Sequence, residues 1–275
     1  MVHDLLRDRA DLEARWNPSA YMQFARLRQR PVVELLDHIE LCCPERIYDL
    51  GCGTGIATEL LARRWPLAEL HGVDSSVEML EEAARLPIKA SWERANLRHW
   101  CAERPASLLF AAAVLHFLED HGKLLPRLLG QLAPGGCLAA HMPNWRDASW
   151  YRLMLEALDS AGPGGASLGS PALRYRLHRR NVLSLDNYYR LLAPLTAELD
   201  IWETEYLQVV DGNDPIFDWI KVSALRPVLG ELDEEARRRF LDRYLELLHR
   251  HYPRELDGRT LFPFRRVFIV ASLGR

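Results

Sequence analysis

The chain has 275 residues, a formal net charge of −3, and hydrophobic and charged fractions of 48% and 27%. This is the composition of an ordinary soluble protein, long enough for one large domain or for a core domain with a cap. The slightly acidic balance excludes a broad attraction to nucleic acid or an anionic membrane, and the longest apolar runs are strand-sized, too short for a membrane span.

Residues 1–15 are charged and helix-prone, and Trp16 and Tyr21 lead into a helical period that continues past Arg30 to Leu35, Leu36 and Ile39. We read residues 1–30 as a segment able to cover a ligand. A short apolar run near 46–50 has strand character and carries Asp49. Glycines then recur at every second position, Gly51, Gly53 and Gly55, before a helix near 56–65. Such glycines let backbone approach a ligand where a Cβ would collide. No Gly-Lys-Ser/Thr follows, which excludes a phosphate loop, and a dinucleotide site wants G-x-G-x-x-G rather than this G-x-G-x-G. Asp49 is placed to accept from a ligand ammonium group.

A second strand near 69–73 runs into Asp74, 25 residues after Asp49. In doubly wound sheets an acid at this place takes ribose hydroxyls. Ser75 follows it, Ser76 is the predicted N-cap of a helix near 76–86, and Met79 lies either against an adenine face or in the core. A weak third strand near 90–94 precedes Asn96 and Leu97, with Asn96 either facing adenine or making a turn. The fourth strand, 107–111, runs into Ala112, Ala113 and His116; a helix near 120–132 and a fifth strand, 137–142, lead to Asn144. This alternation predicts a parallel sheet with helices on both faces and a pocket outside the strand carboxyl ends.

After Trp145 the composition shifts. A helical stretch over 147–160 contains Tyr151, a Gly-rich stretch over 161–170 reads as a flexible loop, and Tyr175 follows. A strongly alternating strand over 196–210, helices near 213–222 and 233–252, and a strand over 266–271 complete the chain. We take 31–275 as one ligand-binding domain, with 146–193 and 211–262 as a helical cap inserted around the last two strands. Five cysteines, an odd number with no C-x-x-C pair, point to a reducing cytoplasm and away from zinc or a disulfide framework. The ten histidines show no metal-ligand spacing, so no metal is expected.

With these residues in view, the chain resembles the trans-aconitate methyltransferase family along nearly its whole length. The likeness is carried by WNPSAYMQFARLRQRP, DLGCGTGIATELLARRWP, GVDSSVEML, FAAAVLHFLED, LAPGG, MPNW, DIWETEY, FDWIKVSALRP, FLDRYLELL and FRRVFIVA. The glycine motif is shared by very many methyltransferases; SALRP and FRRVFIVA are far more specific. One departure is Ala112-Ala113, where the family has an Asn-Ala pair. The resemblance implies the class I, Rossmann-like fold: a doubly wound, mostly parallel seven-stranded α/β sheet with a helical cap. It implies S-adenosylmethionine as cofactor, held by Asp49, Gly51, Gly53, Gly55, Asp74 and Asn96. Trp16, Arg30, Ser75, Met79, Leu97 and Ala113 complete the expected cofactor-binding set.

The acceptor implied is a small carboxylic acid. A carboxylate is already an anion at neutral pH and needs no general base, which suits a sequence with no evident catalytic dyad. An anionic acceptor does need cations, and a guanidinium fork matches a carboxylate. Arg226, Arg266 and Arg30 are the candidates, with Tyr151 beside them and His116 able to orient an acceptor. The alternative on the same fold is a cyclase that converts S-adenosylmethionine to azetidine-2-carboxylate and methylthioadenosine. There Trp16, Tyr21, Tyr151 and Tyr175 would hold the sulfonium by cation–π attraction and Asn144 the amine. A non-catalytic scaffold is disfavoured by the intact glycines and Asp74. The expected partner is a small-molecule acid, with no nucleic acid and no membrane, in a cytoplasmic monomer or homodimer.

Overall fold

The computed structural model describes residues 24–274 apart from Arg146 and Arg180. It divides into two compact units: Phe24–Asn144, Asn181–Thr204 and Arg265–Arg275 form one, and Trp145–Arg180 and Glu205–Phe264 belong to the other. Trp16 and Tyr21 lie outside the described residues.

The first unit is built on the sheet. Its elements are α1 (Ala25–Asp37), β1 (Arg46–Leu50), α2 (Ile56–Arg64), β2 (Glu69–Asp74), α3 (Val77–Ala83), β3 (Ser91–Arg94), β4 (Ala106–Ala112), α4 (His121–Leu129), β5 (Leu132–Pro143) and, after an excursion, α7 (Leu185–Leu192). The strands β6 (Glu198–Val210) and β7 (Thr260–Ser272) complete a seven-stranded sheet of order β3-β2-β1-β4-β5-β7-β6. Strands β1 to β5 pair in parallel, and β7 runs antiparallel to β5. Strand order reverses between β1 and β4, the place where open α/β sheets bind ligands.

Side chains alternate across a strand. One sheet face carries Tyr48 and Leu50, Leu109 and Ala111, Leu138, Ala140 and Met142, and Val267, Ile269 and Ala271. These share one buried cluster with Leu124, Leu125 and Leu128 of α4 and Tyr188 and Leu192 of α7. The intervening positions lie on the opposite face. Register puts Asp49 beside Phe110, Phe110 beside Ala139, His141 beside Phe268, and Arg266 beside Pro143. Asp49, His141 and Arg266 therefore share one face. Near its β6–β7 edge Phe268 stacks on Trp202 at 4.8 Å, and Trp202 stacks on His38 just after α1. Glu34 of α1 accepts hydrogen bonds from both Trp202 Nε1 and Thr204 Oγ1.

The second unit comprises α5 (Ser149–Ser160), α6 (Pro171–His178), α8 (Pro215–Lys221), α9 (Arg226–Glu231) and α10 (Glu234–His251), with the adjoining parts of β6 and β7. Its core is aromatic: Trp150 stacks with Phe264, and Trp219 packs edge-on against Phe262. Ser170 and Asp233 cap α6 and α10, accepting from the N–H groups of Leu173 and Ala236. The Gly-rich stretch expected to be a flexible loop instead folds back on itself. Pro163–Gly165 form a short turn, the Gly162 N–H donates to the Ala166 carbonyl, and the Leu168 N–H donates to the Leu158 carbonyl. The reason is local: a Cβ at Gly162 would come within 2.4 Å of the Ala166 oxygen, so glycine permits the closure. Among the described residues, no helix is long and apolar enough to cross a membrane.

Candidate active site

The carboxyl ends of β1, β2 and β4 meet at the glycine turn. The Gly51 and Cys52 N–H groups donate to the Val73 carbonyl, tying the turn to β2. All three motif glycines have positive φ, and they do different work. A Cβ on Gly51 would lie 2.4 Å from Val114, just past β4, and one on Gly55 would lie 2.5 Å from Leu86. Above Gly53 there is nothing within 4 Å among the described residues. Gly51 and Gly55 thus permit packing, whereas Gly53 leaves open space where a ligand can approach.

Two acids flank that space. Asp74 is gripped by backbone: the Gly53 N–H donates to its Oδ2 and the Ser76 N–H to its Oδ1, each at 2.9 Å. Asp49 is 1% exposed. Its Oδ2 accepts from Thr58 Oγ1 at 2.6 Å, and its Oδ1 has no hydrogen-bond partner among the described residues. Burial raises the Asp49 pKa to about 7; the Thr58 hydrogen bond lowers it and the neighbouring Asp74 charge raises it further. Ala113 sits at φ 58°, a left-handed conformation that costs a non-glycine residue about 1–2 kcal/mol. Its N–H donates to the His141 carbonyl, which holds the turn. Ser75 is exposed beside Asp74. Met79 is buried in α3, whose N-cap is Ser76 as expected. Leu97 is buried in the sheet cluster, and Asn96 is exposed and closes a turn by accepting from the Arg98 N–H.

A second group lies along β5 and β7. Arg266 is 3% exposed and His141 1% exposed, and Arg266 Nη1 lies 3.2 Å from His141 Nδ1. His116, in the short turn Leu115–Phe117, is buried as well. Burial first, then the Arg266 charge, then His121 lower the His116 pKa to about 3. Asn144 is engaged elsewhere: its Nδ2 donates to Glu203 at 2.6 Å and its N–H to the Arg265 carbonyl. Arg30 is exposed on α1. Within the second unit, the Tyr151 hydroxyl donates to the Leu177 carbonyl, Tyr175 is 68% exposed with Arg179 over its ring, and Arg226 begins α9 half-buried.

The comparisons agree with this geometry. A family profile described as a methyltransferase domain matches residues 47–136, from β1 into β5. Trans-aconitate 2-methyltransferase of Pseudomonas aeruginosa strain UCBPP-PA14 is 99% identical over 275 residues, covering 100% of both chains. The chain belongs to the trans-aconitate 2-methyltransferase family. Its relative in Methylobacterium radiotolerans is 46% identical over 259 residues, covering 94% of this chain and 98% of that one. Among solved structures, the YcgJ protein from Bacillus subtilis has the same fold, with a TM-score of 0.57 at 14% identity, covering 89% of this chain and 98% of that one. The protein is an S-adenosylmethionine-dependent methyltransferase of the class I fold. These relatives support methyl transfer over cyclisation, and nothing among them supports azetidine-2-carboxylate as product.

The residues of the glycine turn suit the cofactor. Asp49 offers a buried carboxylate oxygen without a partner among the described residues, the complement of an ammonium group, and Gly53 leaves space that a Cβ would fill. Two residues escaped the sequence reading. Thr58 was visible only as a polar residue on the buried side of an amphipathic helix, and His141 only as the single polar residue of an apolar strand.

Proposed function

We propose that this methyltransferase esterifies a carboxylate of trans-aconitate or a closely related polycarboxylic acid. The observation that carries the reading is the 99% identity, end to end, with a relative of that name. S-adenosylmethionine, when bound, supplies a methyl group on a positively charged sulfur. The protein's part is placement: Asp49 takes the ammonium, Asp74 the ribose hydroxyls, and the Gly53 backbone leaves the approach open. A carboxylate oxygen of the acid is the nucleophile and has no proton to lose, so no base is assigned to the step. His116 and His141 stay neutral beside Arg266, whose permanent charge attracts the acid. Arg226 is the rival cation; comparing the acid dependence of R226A and R266A decides between them.

The test is to incubate the protein with S-adenosylmethionine, with and without trans-aconitate, and identify both products. The expected result is a methyl ester and S-adenosylhomocysteine, formed only with the acid. Acceptor-free release of methylthioadenosine above spontaneous decay would overturn it. The unpaired cysteine pattern supports a reducing cytoplasm and the net charge of −3 supports work without nucleic acid; the oligomeric state assigned is a monomer or homodimer. Sedimentation at working concentration tests the last point.

A further inference from the structure

The strand core Cys137-Leu138-Ala139-Ala140-His141-Met142 is apolar but for one side chain. Burying an imidazole costs free energy unless a hydrogen bond offsets it. Here the one side-chain hydrogen bond found for His141 is with Arg266, 125 positions away in sequence and on the neighbouring strand. Its Nε2 has no partner among the described residues, so bonding at both ring nitrogens does not explain the residue. The ring packs against Phe268, which leaves it little freedom to turn. A guanidinium has no acceptor, so Nη1 donates and Nδ1 accepts; the proton of the neutral ring then sits on Nε2. A charged imidazole could not accept this bond and would repel Arg266. Burial, then the charge of Arg266, then His116 hold the His141 pKa well below its ordinary value.

We propose that His141 is a positioning residue for the acceptor. By accepting one N–H of Arg266 it holds the guanidinium in a fixed orientation, so that the acid meets a preformed cation rather than a swinging one. The inference rests on the reading that Arg266 receives a carboxylate of the acid. Nothing here has His141 touch either substrate. Its effect therefore falls on acid binding alone and passes entirely through Arg266.

Steady-state kinetics with trans-aconitate on the full-length chain test this, using H141L, H141N, R266A and the double variant R266A/H141L. Asparagine places an acceptor oxygen near the Nδ1 position; leucine places none. H141L is expected to raise KM for the acid by about tenfold, with kcat and the KM for S-adenosylmethionine within about twofold, as for lost ground-state binding. H141N should recover most of that loss, and H141L should add nothing in the R266A background. Equal losses in H141L and H141N, an unchanged KM in H141L, or additive losses in the double variant would overturn the proposal. Should H141L fail to fold, nitrogen NMR of the wild-type histidines still decides. A neutral Nε2–H tautomer from pH 5 to 9 is expected for His141, and an Nδ1–H tautomer or an ordinary titration overturns the proposal. Wild-type protein inert toward every polycarboxylic acid would sink the acceptor reading itself, a result distinct from any of these.

Discussion

The two ends of the sheet face make an instructive pair. At the β1–β2 end the site is shaped largely by backbone: the space over Gly53, and the Gly53 and Ser76 N–H groups that hold Asp74 in place. At the β5–β7 end the polar groups are side chains, a guanidinium and an imidazole buried side by side. A backbone site is assembled by one short turn and is specific for a shape. A side-chain site needs strands distant in sequence to be in register, and it can be retuned by one substitution without disturbing the fold. On the proposed reading, a cofactor common to many enzymes meets the first kind of construction and an acceptor peculiar to one family the second.

The largest expected effect is on the backbone end. Gly51→Ala introduces a Cβ 2.4 Å from Val114 at a left-handed φ, and strain plus overpacking should cost about 3–5 kcal/mol of stability. Gly53→Ala meets no atom among the described residues but keeps a left-handed φ of 54°, so it should cost only the strain, about 1–2 kcal/mol, while binding cofactor more weakly. Equal melting temperatures for the two variants would show that the glycines do not differ in this way.

Next in size is Arg266→Ala. Removing a buried cation from a carboxylate typically costs about 2–3 kcal/mol, so KM for the acid should rise roughly 30- to 150-fold. Cofactor affinity measured by calorimetry should stay the same. A parallel loss in both substrates would mean that the two ends are not separable. Asp74→Ala should do the reverse, weakening cofactor binding by about 1–3 kcal/mol through lost charge-assisted hydrogen bonds. It also frees the Gly53 N–H, and an unchanged affinity would remove Asp74 from the site.

The smallest effect is with pH, and its sign follows from Asp49. Its folded pKa is raised to about 7, so the free protein holds a proton there below neutrality. An ammonium ligand favours the ionised form, so binding expels that proton. The Asp49 limb should therefore lower affinity for the ammonium form about tenfold from pH 8 to pH 6. Calorimetry in buffers of different ionisation enthalpy should count close to one proton released at pH 6. The same linkage makes the unliganded fold lose stability as pH rises from about 4 to 7, because Asp49 ionises more readily in the unfolded chain. At the other end His116, at about 3, and His141 should add no inflection to the acid's KM between pH 6 and 9.

What the sequence by itself determined is whatever depends on neighbours along the chain. The glycine turn, the acids at the ends of β1 and β2, the Ser76 cap and the alternation of strands and helices all follow from local sterics and hydrophobic period, and the structure has them. What only the tertiary structure decided is which of two equally plausible roles a residue takes. Asp49 and Asp74 look alike in sequence, yet one is buried with an open oxygen and the other is bracketed by amides. Asn144 and Tyr151, plausible ligand contacts on paper, bond to Glu203 and the Leu177 carbonyl. The Arg266–His141 contact has no sequence signature, because antiparallel register between β5 and β7 creates it, and register is set by the whole sheet closing over its core rather than by either strand.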